Sequence, residues 1–560
     1  MLLRLAPWVL TGVLVLPLGA GLAMVMLPAF GYLPALGGET FHLGAWRALW
    51  ERPGLSRSVL LSFSTGLTTT FISLVCVVLF LAAVRGSWLD RALHRMVSPL
   101  LAIPHAAVAF GLAFLIAPSG LLVRWASPGL TGWERPPDLL IVQDPWGLSL
   151  MAGLILKEVP FLLLMSLAVL PQLAPEQRVN MARSLGYHPT IGWLKSVFPV
   201  LYPLIRLPIY AVIAYATSVV DMAIILGPTL PPTLSVSILQ WFNDPNLDRR
   251  FMASAGALLQ LGVTLAALAT WWLGEQIVKR LGQHWLVNGS RRRGAFAVAF
   301  SGRFLLGLTT LTALAAMVGL AIFSLAGFWR FPDALPVTMT FNHWQRVLPS
   351  ATTPLVNTLV VGVTATLIAA VLVIACLENE ARHQLTPKRA MWLLYLPLLV
   401  PQVAFLFGLV VAAESLGIRP QRSLVVAGHL LFVVPYLYLS LSEAYRRLDP
   451  RWAQLAHSLG ASRWHTFWRI RLPLLLAPLL TACAVSLAVS IGQYLPTLLL
   501  GGGRVATITT EAVAMASGGN RRLIGVLALL QALLPFIGFA LALLLPRLIW
   551  AKRAAMRGAA

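Results

Sequence analysis

Few residues of this 560-residue chain could do chemistry, and the strongest candidates are polar side chains inside apolar segments. Asp221 lies in the apolar stretch 218–227, and Gln493 and Tyr494 lie in a similar stretch at 490–501. A charged group inside a membrane span costs roughly 2.5–3.5 kcal/mol on insertion scales, so it usually has a function. We interpret the three residues as candidates for the path of a polar solute across a membrane. The alternative is a polar cluster that fastens two parts of the protein together.

Lys157 and Glu158 lie in another apolar segment, but their spacing favours a structural role. Adjacent residues on a helix point in different directions and do not face each other. We therefore expect each of them to have its partner on another span rather than to contact a solute.

The sequence contains no recognisable constellation for catalysis or metal binding. The ten histidines are dispersed, without an i, i+4 pair on a helix or a carboxylate cluster beside them. The phosphate-binding pattern Gly-x-x-x-x-Gly-Lys-Ser/Thr is missing, and its nearest candidate, at 192–196, lacks the second glycine. We therefore predict a protein that is not an enzyme, with no catalytic residue, no metal site and no cofactor of its own.

A short polar stretch occurs twice, each time between apolar segments that are long enough to cross a membrane. One offset of 274 residues aligns five identities without a gap: Ala182, Ser184, Leu185, Gly186 and Pro199 match Ala456, Ser458, Leu459, Gly460 and Pro473. A match of this length at one offset indicates an internal duplication.

Each copy carries the signals of a short helix. Pro175 and Pro450 can occupy the first helical position, where the missing N–H costs nothing, and Asp449 can cap the second helix. Gly186 and Gly460 can end the helices, because glycine tolerates the left-handed conformation of a helix stop. The expected helix has about ten residues and a length of roughly 15 Å. A polar helix between two membrane spans is placed to contact something outside the membrane.

The composition is that of a membrane protein with many spans. Hydrophobic residues make up 58% of the chain and charged residues 11%, and the mean hydropathy is +0.80, which lies outside the usage of soluble domains. A helix needs about 20 apolar residues to cross a bilayer. We predict an all-α integral membrane protein with twelve transmembrane helices in two homologous six-helix halves, near 8–29, 57–84, 97–117, 147–171, 203–228, 253–278, 304–326, 353–376, 391–412, 424–442, 474–500 and 523–548.

The join between the halves can also be placed on the chain. We assign residues 1–281 to the first half and residues 303–560 to the second half. Residues 282–302 form a short connector that is basic and rich in turn-forming residues.

A repeated proline pattern extends the duplication into the spans. Pro104 lies seven residues before Gly111 in the third span, and Pro401 lies seven residues before Gly408 in the ninth. A proline frees a backbone carbonyl and bends the helix, which in a membrane requires neighbouring protein or water. We therefore expect Pro104 and Pro401 to lie at the interface between the halves, on the translocation path.

The net charge of +23 orients the chain in a membrane and does not indicate a nucleic-acid partner. Lys and Arg near span ends are retained on the cytoplasmic side. With the N-terminus inside, 26 of the 42 Lys and Arg residues fall on predicted cytoplasmic segments and 14 on outer segments. We predict that both termini and both polar helices face the cytoplasm.

The second polar copy fits a wider pattern of Glu-Ala-Ala, Gly-Ala, Phe and Ile-x-Leu-Pro. Its matching residues are Ala456, Gly460, Ala461, Phe467, Ile470, Leu472 and Pro473. The first copy supplies Ala182, Gly186 and Pro199, with Tyr187 for the alanine and Trp193 for the phenylalanine. This pattern resembles the cytoplasmic loop of ABC-importer permeases. Because it covers both halves, the chain is similar to a fused permease of the type I binding-protein-dependent class, like the ferric-iron and thiamine permeases.

One position departs from that family pattern in both copies. Asn180 and Gln454 stand where the pattern has glutamate, so hydrogen-bonding capacity is kept and the charge is lost. The resemblance implies that each loop helix docks into a groove on an ATPase subunit. Without the two negative charges, we expect docking by shape and apolar contact.

The resemblance implies further partners and a location. Two copies of a cytoplasmic ABC ATPase subunit would bind ATP and Mg²⁺, and a periplasmic solute-binding protein would deliver a small hydrophilic solute, such as ferric iron or thiamine. The permease would lie in the lipid bilayer of the bacterial cytoplasmic (inner) membrane and work by alternating access. The alternatives are a twelve-span secondary transporter driven by an ion gradient, and a scaffold or channel without an ATPase partner. A secondary transporter has no reason to keep a docking helix in each half.

Overall fold

The computed structural model describes residues 2–84, 103–385 and 390–549. Within these ranges the chain is helical, and its β-type contacts are isolated bridges of Leu33 with Gly38 and of Ala326 with Met339. The start of the predicted third span, at 97–102, lies outside the described residues. So do several basic residues that contribute to the predicted charge asymmetry: Arg85, Arg91, Arg95, Lys388, Arg389, Lys552, Arg553 and Arg557.

Helices α1 to α12 are formed by the residues before the predicted connector and by the first part of the connector. They are α1 (Leu2–Ala29), α2 (Gly44–Trp50), α3 (Leu55–Val84), α4 (His105–Ile116), α5 (Leu121–Ala126), α6 (Leu148–Val169), α7 (Pro175–Ser184), α8 (Pro189–Ser196), α9 (Phe198–Ser218), α10 (Asp221–Leu226), α11 (Leu234–Phe242) and α12 (Arg249–Val287).

The remainder of the described chain forms helices α13 to α24. They are α13 (Ala295–Leu325), α14 (Asn342–His383), α15 (Ala390–Leu399), α16 (Gln402–Ser415), α17 (Arg422–Arg446), α18 (Arg451–Ser458), α19 (Arg463–Thr466), α20 (Leu472–Leu474), α21 (Leu476–Gly492), α22 (Leu495–Gly501), α23 (Ile508–Ala514) and α24 (Arg521–Ile549).

Ten helices of the described chain are long and apolar enough to cross a membrane, and two bent pairs bring the number to twelve if each pair is one span. Trp392–Leu399 meets Gln402–Ser415 at 89°, and Arg463–Leu474 meets Leu476–Gly492 at 70°. The predicted all-α membrane fold with two repeated halves is confirmed. Because α12 and α13 extend into the predicted connector, only its residues 288–294 are non-helical.

Pro104 and Pro401 each stand directly before a helix. Pro401 follows α15 and precedes the first residue of α16, and Pro104 occupies the same position before α4. A proline fixes its own φ and disfavours a helical conformation in the residue before it. The expected bend is therefore a complete break at Pro401, where the chain turns through 89°.

The first helix of each half packs against the other half. α1 lies along α16, and a Cβ atom on Gly408 would be 1.8 Å from the carbonyl oxygen of Gly21. α13 lies against α3 and α4, and a Cβ atom on Gly111 would be 2.9 Å from the Ala316 carbonyl oxygen. Small residues let helix backbones approach closely in a membrane, where packing drives association. The repeated glycines therefore mark two equivalent crossings that interlock the halves.

Arg124 of α5 adds a polar link between the halves. Its guanidinium donates hydrogen bonds to the carbonyl oxygens of Arg330 at 2.9 Å and Asp333 at 3.2 Å, both in the loop between α13 and α14. The guanidinium carbon lies 4.4 Å from the ring centroid of Trp329 in the same loop. Hydrogen bonds and a cation–π contact thus attach this loop of the second half to the first half.

We predict that Gly408→Ala destabilises the protein by about 1–3 kcal/mol, because overpacking at a tight contact forces the backbones apart. Thermal unfolding of the detergent-solubilised chain measures this loss. Gly307→Ala is the matched control, since Gly307 lies in α13 with no atom within 4 Å of an added Cβ. An unchanged unfolding temperature for Gly408→Ala would show that the crossing is not tight.

Candidate functional site

The two copies of the polar stretch fold into equivalent loop helices, α7 and α18. Gly186 and Gly460 follow them in the left-handed conformation, with φ of +83° and +81°. The offset of 274 relates the last residues of the helices, Ser184 and Ser458. The helix stops at the glycines are as expected from the sequence.

The first loop helix begins at the predicted residue, and the second begins one residue later than predicted. Pro175 is the first residue of α7, as expected. Pro450 instead precedes α18, which begins at Arg451 and has eight residues. The carboxylate of Asp449 accepts a hydrogen bond from the Arg451 N–H at 2.9 Å. The N-cap position itself is occupied by Pro450 and not, as expected, by Asp449.

Each loop helix exposes a pair of large apolar side chains. Met181 is 68% and Leu185 63% exposed on the first helix, and Leu455 is 55% and Leu459 80% exposed on the second. The offset of 274 maps each residue of the first pair onto one of the second. Single exposed apolar residues are common, but the repetition of a pair at equivalent positions points to a shared contact surface. We call these four residues the apolar pairs.

The remaining predicted loop residues divide into exposed and supporting ones. Asn180 and Gln454 are exposed, as are Gly186, Gly460 and Pro199, whereas Ala182, Ala461 and Pro473 are half-buried. Ala456 and Phe467 are buried. The N–H of Ala461 donates to the carbonyl oxygen of Ala456 at 2.9 Å, which closes the end of α18. The exposed residues can contact a partner, and the buried ones hold the helix on the protein.

The two loops are braced by different parts of the chain. The N–H of His188 in the first loop donates to the carbonyl oxygen of Arg291, in the connector, at 2.9 Å. Lys195 donates to the carbonyl oxygen of Asn288, also in the connector. In the second loop Arg471 forms a 2.8 Å ion pair with Glu378 of α14. The connector therefore supports the first loop, and a membrane helix supports the second.

A cavity of about 140 Å³ lies between the halves. Its lining includes Asp221, Gln493, Tyr494 and Pro104, which the sequence proposed for the translocation path. Pro401 is buried between two lining residues, Val400 and Gln402, and does not itself line the cavity. The structure thus brings four of the five predicted path residues together.

Asp221 and its counterpart segment lie at breaks in two spans. α9 ends at Ser218 and α10 begins at Asp221, whereas α21 ends at Gly492 and α22 begins at Leu495. The offset of 274 that aligns the two polar stretches also relates these positions without adjustment. Leu495 is the counterpart of Asp221. Gln493 and Tyr494 are the counterparts of the two residues within the first break.

Buried glutamines hold these breaks in both halves. Gln260 of α12 donates to the carbonyl oxygen of Thr217, at the end of α9, at 3.1 Å. Gln531 of α24 donates to the hydroxyl of Thr509 at 2.7 Å, and that hydroxyl donates to the carbonyl oxygen of Ile491 at the end of α21. Thr217 and Ile491 are equivalent by the offset of 274. A polar side chain thus satisfies a carbonyl at the equivalent broken helix end in each half.

Lys157 and Glu158 line the same cavity. The ammonium group of Lys157 donates to the carbonyl oxygen of Ile103 at 2.5 Å. His105 of α4 and Gln402 of α16 also line the cavity, each directly after one of the paired prolines. Their positions beside these prolines are a signal in the sequence that could have identified them.

The chain matches a known permease over nearly its whole length. It is 33% identical over 549 residues to the inner membrane ABC transporter permease protein YnjC of Escherichia coli (strain K12), covering 97% of this chain and 98% of that protein. The chain belongs to the permease family of binding-protein-dependent ABC transporters. The family described as the binding-protein-dependent transport system inner membrane component matches residues 383–550 of the permease, which include the second loop helix.

Other relatives align with about a third of the permease. PhnV of Salmonella typhimurium, whose name refers to a 2-aminoethylphosphonate transport system, is 29% identical over 192 residues, or 33% of this chain and 72% of that protein. The spermidine/putrescine transport system permease protein PotC homolog of Mycoplasma genitalium is 26% identical over 171 residues, or 30% and 60%. The resemblance to a fused permease is confirmed, and the permease is a multi-pass inner membrane protein and a transport subunit.

We predict that Gln531→Leu destabilises the permease by about 1–3 kcal/mol, because it leaves buried polar groups near Thr509 with one partner fewer. Thermal unfolding of the solubilised chain provides the measurement. Gln172→Leu is the control, since Gln172 is exposed and surface changes usually stay within about 0.5 kcal/mol. Equal effects of the two substitutions would contradict the role assigned to Gln531.

Proposed function

We propose that the permease moves a small hydrophilic solute from a periplasmic binding protein to the cytoplasm, driven by ATP. Two copies of a cytoplasmic ABC ATPase subunit contact α7 and α18, and the ATPases hold ATP and Mg²⁺. Both termini lie in the cytoplasm. The repetition of the apolar pairs at equivalent, exposed positions carries this proposal.

The chemistry of the loop helices favours apolar docking. Asn180 and Gln454 are exposed and uncharged, so an ionic contact at these positions is not available to either helix. Burying a leucine or methionine side chain in a partner contributes about 1.5–3 kcal/mol. Such a contact is screened little by salt, unlike an ion pair between exposed charges.

The transport cycle needs an element with two packed arrangements that ATP biases. In the proposed cycle, closure of the ATPases on ATP draws α7 and α18 together and opens the cavity to the outside. Hydrolysis returns the halves to the inward-facing arrangement. Broken helices at a site between two repeats are typical of alternating access, and α9–α10 and α21–α22 provide them.

The names of relatives do not identify the solute. They refer to 2-aminoethylphosphonate for PhnV and to spermidine and putrescine for the PotC homolog. Since these solutes differ in charge, family membership is compatible with either sign. The solute must be inferred from the cavity.

Replacement of Leu185 and Leu459 by Asp is expected to remove ATPase activity that co-purifies with the full-length chain, because a charged side chain opposes apolar docking. The amount of ATPase activity per permease, measured at low and high salt, reports the contact. Leu335→Asp with Val337→Asp is the matched control, since both residues are exposed in the loop between α13 and α14. Retention of the activity by the Leu185 and Leu459 variant would refute this docking surface.

The rival secondary transporter is tested by reconstitution. We expect proteoliposomes with the permease alone to show no solute accumulation under a proton or sodium gradient. Accumulation should require the ATPase subunits, the binding protein and ATP. Gradient-driven uptake by the permease alone would favour the secondary transporter.

A further inference from the structure

We propose that the cavity between the halves binds a small organic cation, a solute with an ammonium group and about six non-hydrogen atoms. The proposal rests on the proposed transport function, because it names the class of solute that the permease carries. Three independent features of the cavity support it: its charge, its aromatic lining and its size.

The charged residues that line the described cavity leave one negative charge without a cationic partner. Lys157 and Glu158 are adjacent, interact electrostatically and offset each other. The carboxylate of Asp221 interacts with the backbone N–H of Met222 and the hydroxyl of Tyr215, which are neutral. A carboxylate buried among neutral donors is stabilised by a cation that enters its site. Asp221 therefore favours a positively charged solute.

The side chains of the second half complete the site without adding charge. Tyr436, Tyr494 and Phe432 line the cavity, together with the amides of Gln402 and Gln493. The ring of Tyr436 packs 6.1 Å from that of Phe161 of the first half. Aromatic faces attract ammonium groups, and cages of such rings recognise quaternary ammonium ligands. The site thus has a carboxylate from one half and aromatic rings from both.

The same lining disfavours an anion of similar size. A sulfonate or phosphonate in the cavity would share the space with the carboxylate of Asp221, which repels it. Lys157 is the basic side chain among the described lining residues, apart from His105, which is ordinarily neutral at pH 7. The ammonium group of Lys157 already contacts the carbonyl oxygen of Ile103.

The cavity volume limits the solute. A volume of about 140 Å³ is similar to the roughly 150 Å³ of an engineered cavity that binds benzene, which has six carbon atoms. A solute of about this size can be enclosed in the arrangement of the halves described here.

The test compares three probes of equal heavy-atom number with the full-length permease in lipid nanodiscs, without ATP. The probes are choline, its uncharged isostere 3,3-dimethylbutan-1-ol and the anion isethionate. Ligand binding stabilises the folded protein by RT ln(1 + [L]/Kd) and so raises the unfolding temperature. Thermal unfolding over a probe titration therefore gives apparent dissociation constants. We expect choline to bind at least about tenfold more tightly than its isostere, and isethionate to bind more weakly than either.

Substitutions test whether choline binds in the cavity. Asp221→Asn should reduce choline binding to the level of the isostere, and Asp221→Glu should retain the preference for the cation. Glu414→Gln is the matched control, since Glu414 is exposed at the end of α16 and does not line the cavity. If Asp221→Asn does not fold, Gln493→Glu adds a carboxylate to the cavity and should increase choline affinity severalfold.

Two results would overturn the proposal: tighter binding of isethionate than of choline, or a choline preference unchanged in both Asp221→Asn and Gln493→Glu. Failure here is distinguishable from failure of the transport proposal. Probe binding requires no ATPase, and loss of the ATPase contact at α7 and α18 leaves the cavity unaltered.

Discussion

A helix inside a membrane can break only where protein or water satisfies the backbone groups that the break exposes. Two spans of this permease break at equivalent points, after Ser218 and after Gly492. Gln260 and the Gln531–Thr509 pair bind carbonyl oxygens beside these points. The need for such partners explains why buried polar residues concentrate around the breaks. The cavity between the halves depends on this arrangement, because the breaks place Asp221, Gln493 and Tyr494 on its wall.

The sequence allowed prediction of those features that depend on local properties. Apolar runs located the helices, because crossing a bilayer requires a minimum apolar length. Gly186 and Gly460 adopt positive φ because a helix stop demands it and glycine tolerates it. The fixed offset between repeats located both loop helices. It also relates the breaks at Asp221 and Leu495, although the break itself was not foreseen.

Contacts between segments that are far apart in the chain could not be predicted from the amino-acid sequence alone. The repeated Gly111 and Gly408 were recognised as a pattern, but their contacts with Ala316 and Gly21 depend on how the halves cross. Lys157 was expected to have its partner on another span, because adjacent residues on a helix point in different directions. In the folded protein it contacts the carbonyl oxygen of Ile103 and still lines the cavity. The geometry of one helix does not show which other segments of the chain lie beside its side chains.

After the break in the second half, the first residue of α22 is Leu495. The equivalent residue of the first half is Asp221. A pore assembled from two identical polypeptides would carry two such carboxylates or none. Because the two unlike halves belong to one polypeptide, every molecule has a single acid at these two equivalent positions. This number does not depend on which chains assemble with each other. Duplication followed by divergence has thus produced a cavity whose charge distribution no symmetric dimer could have.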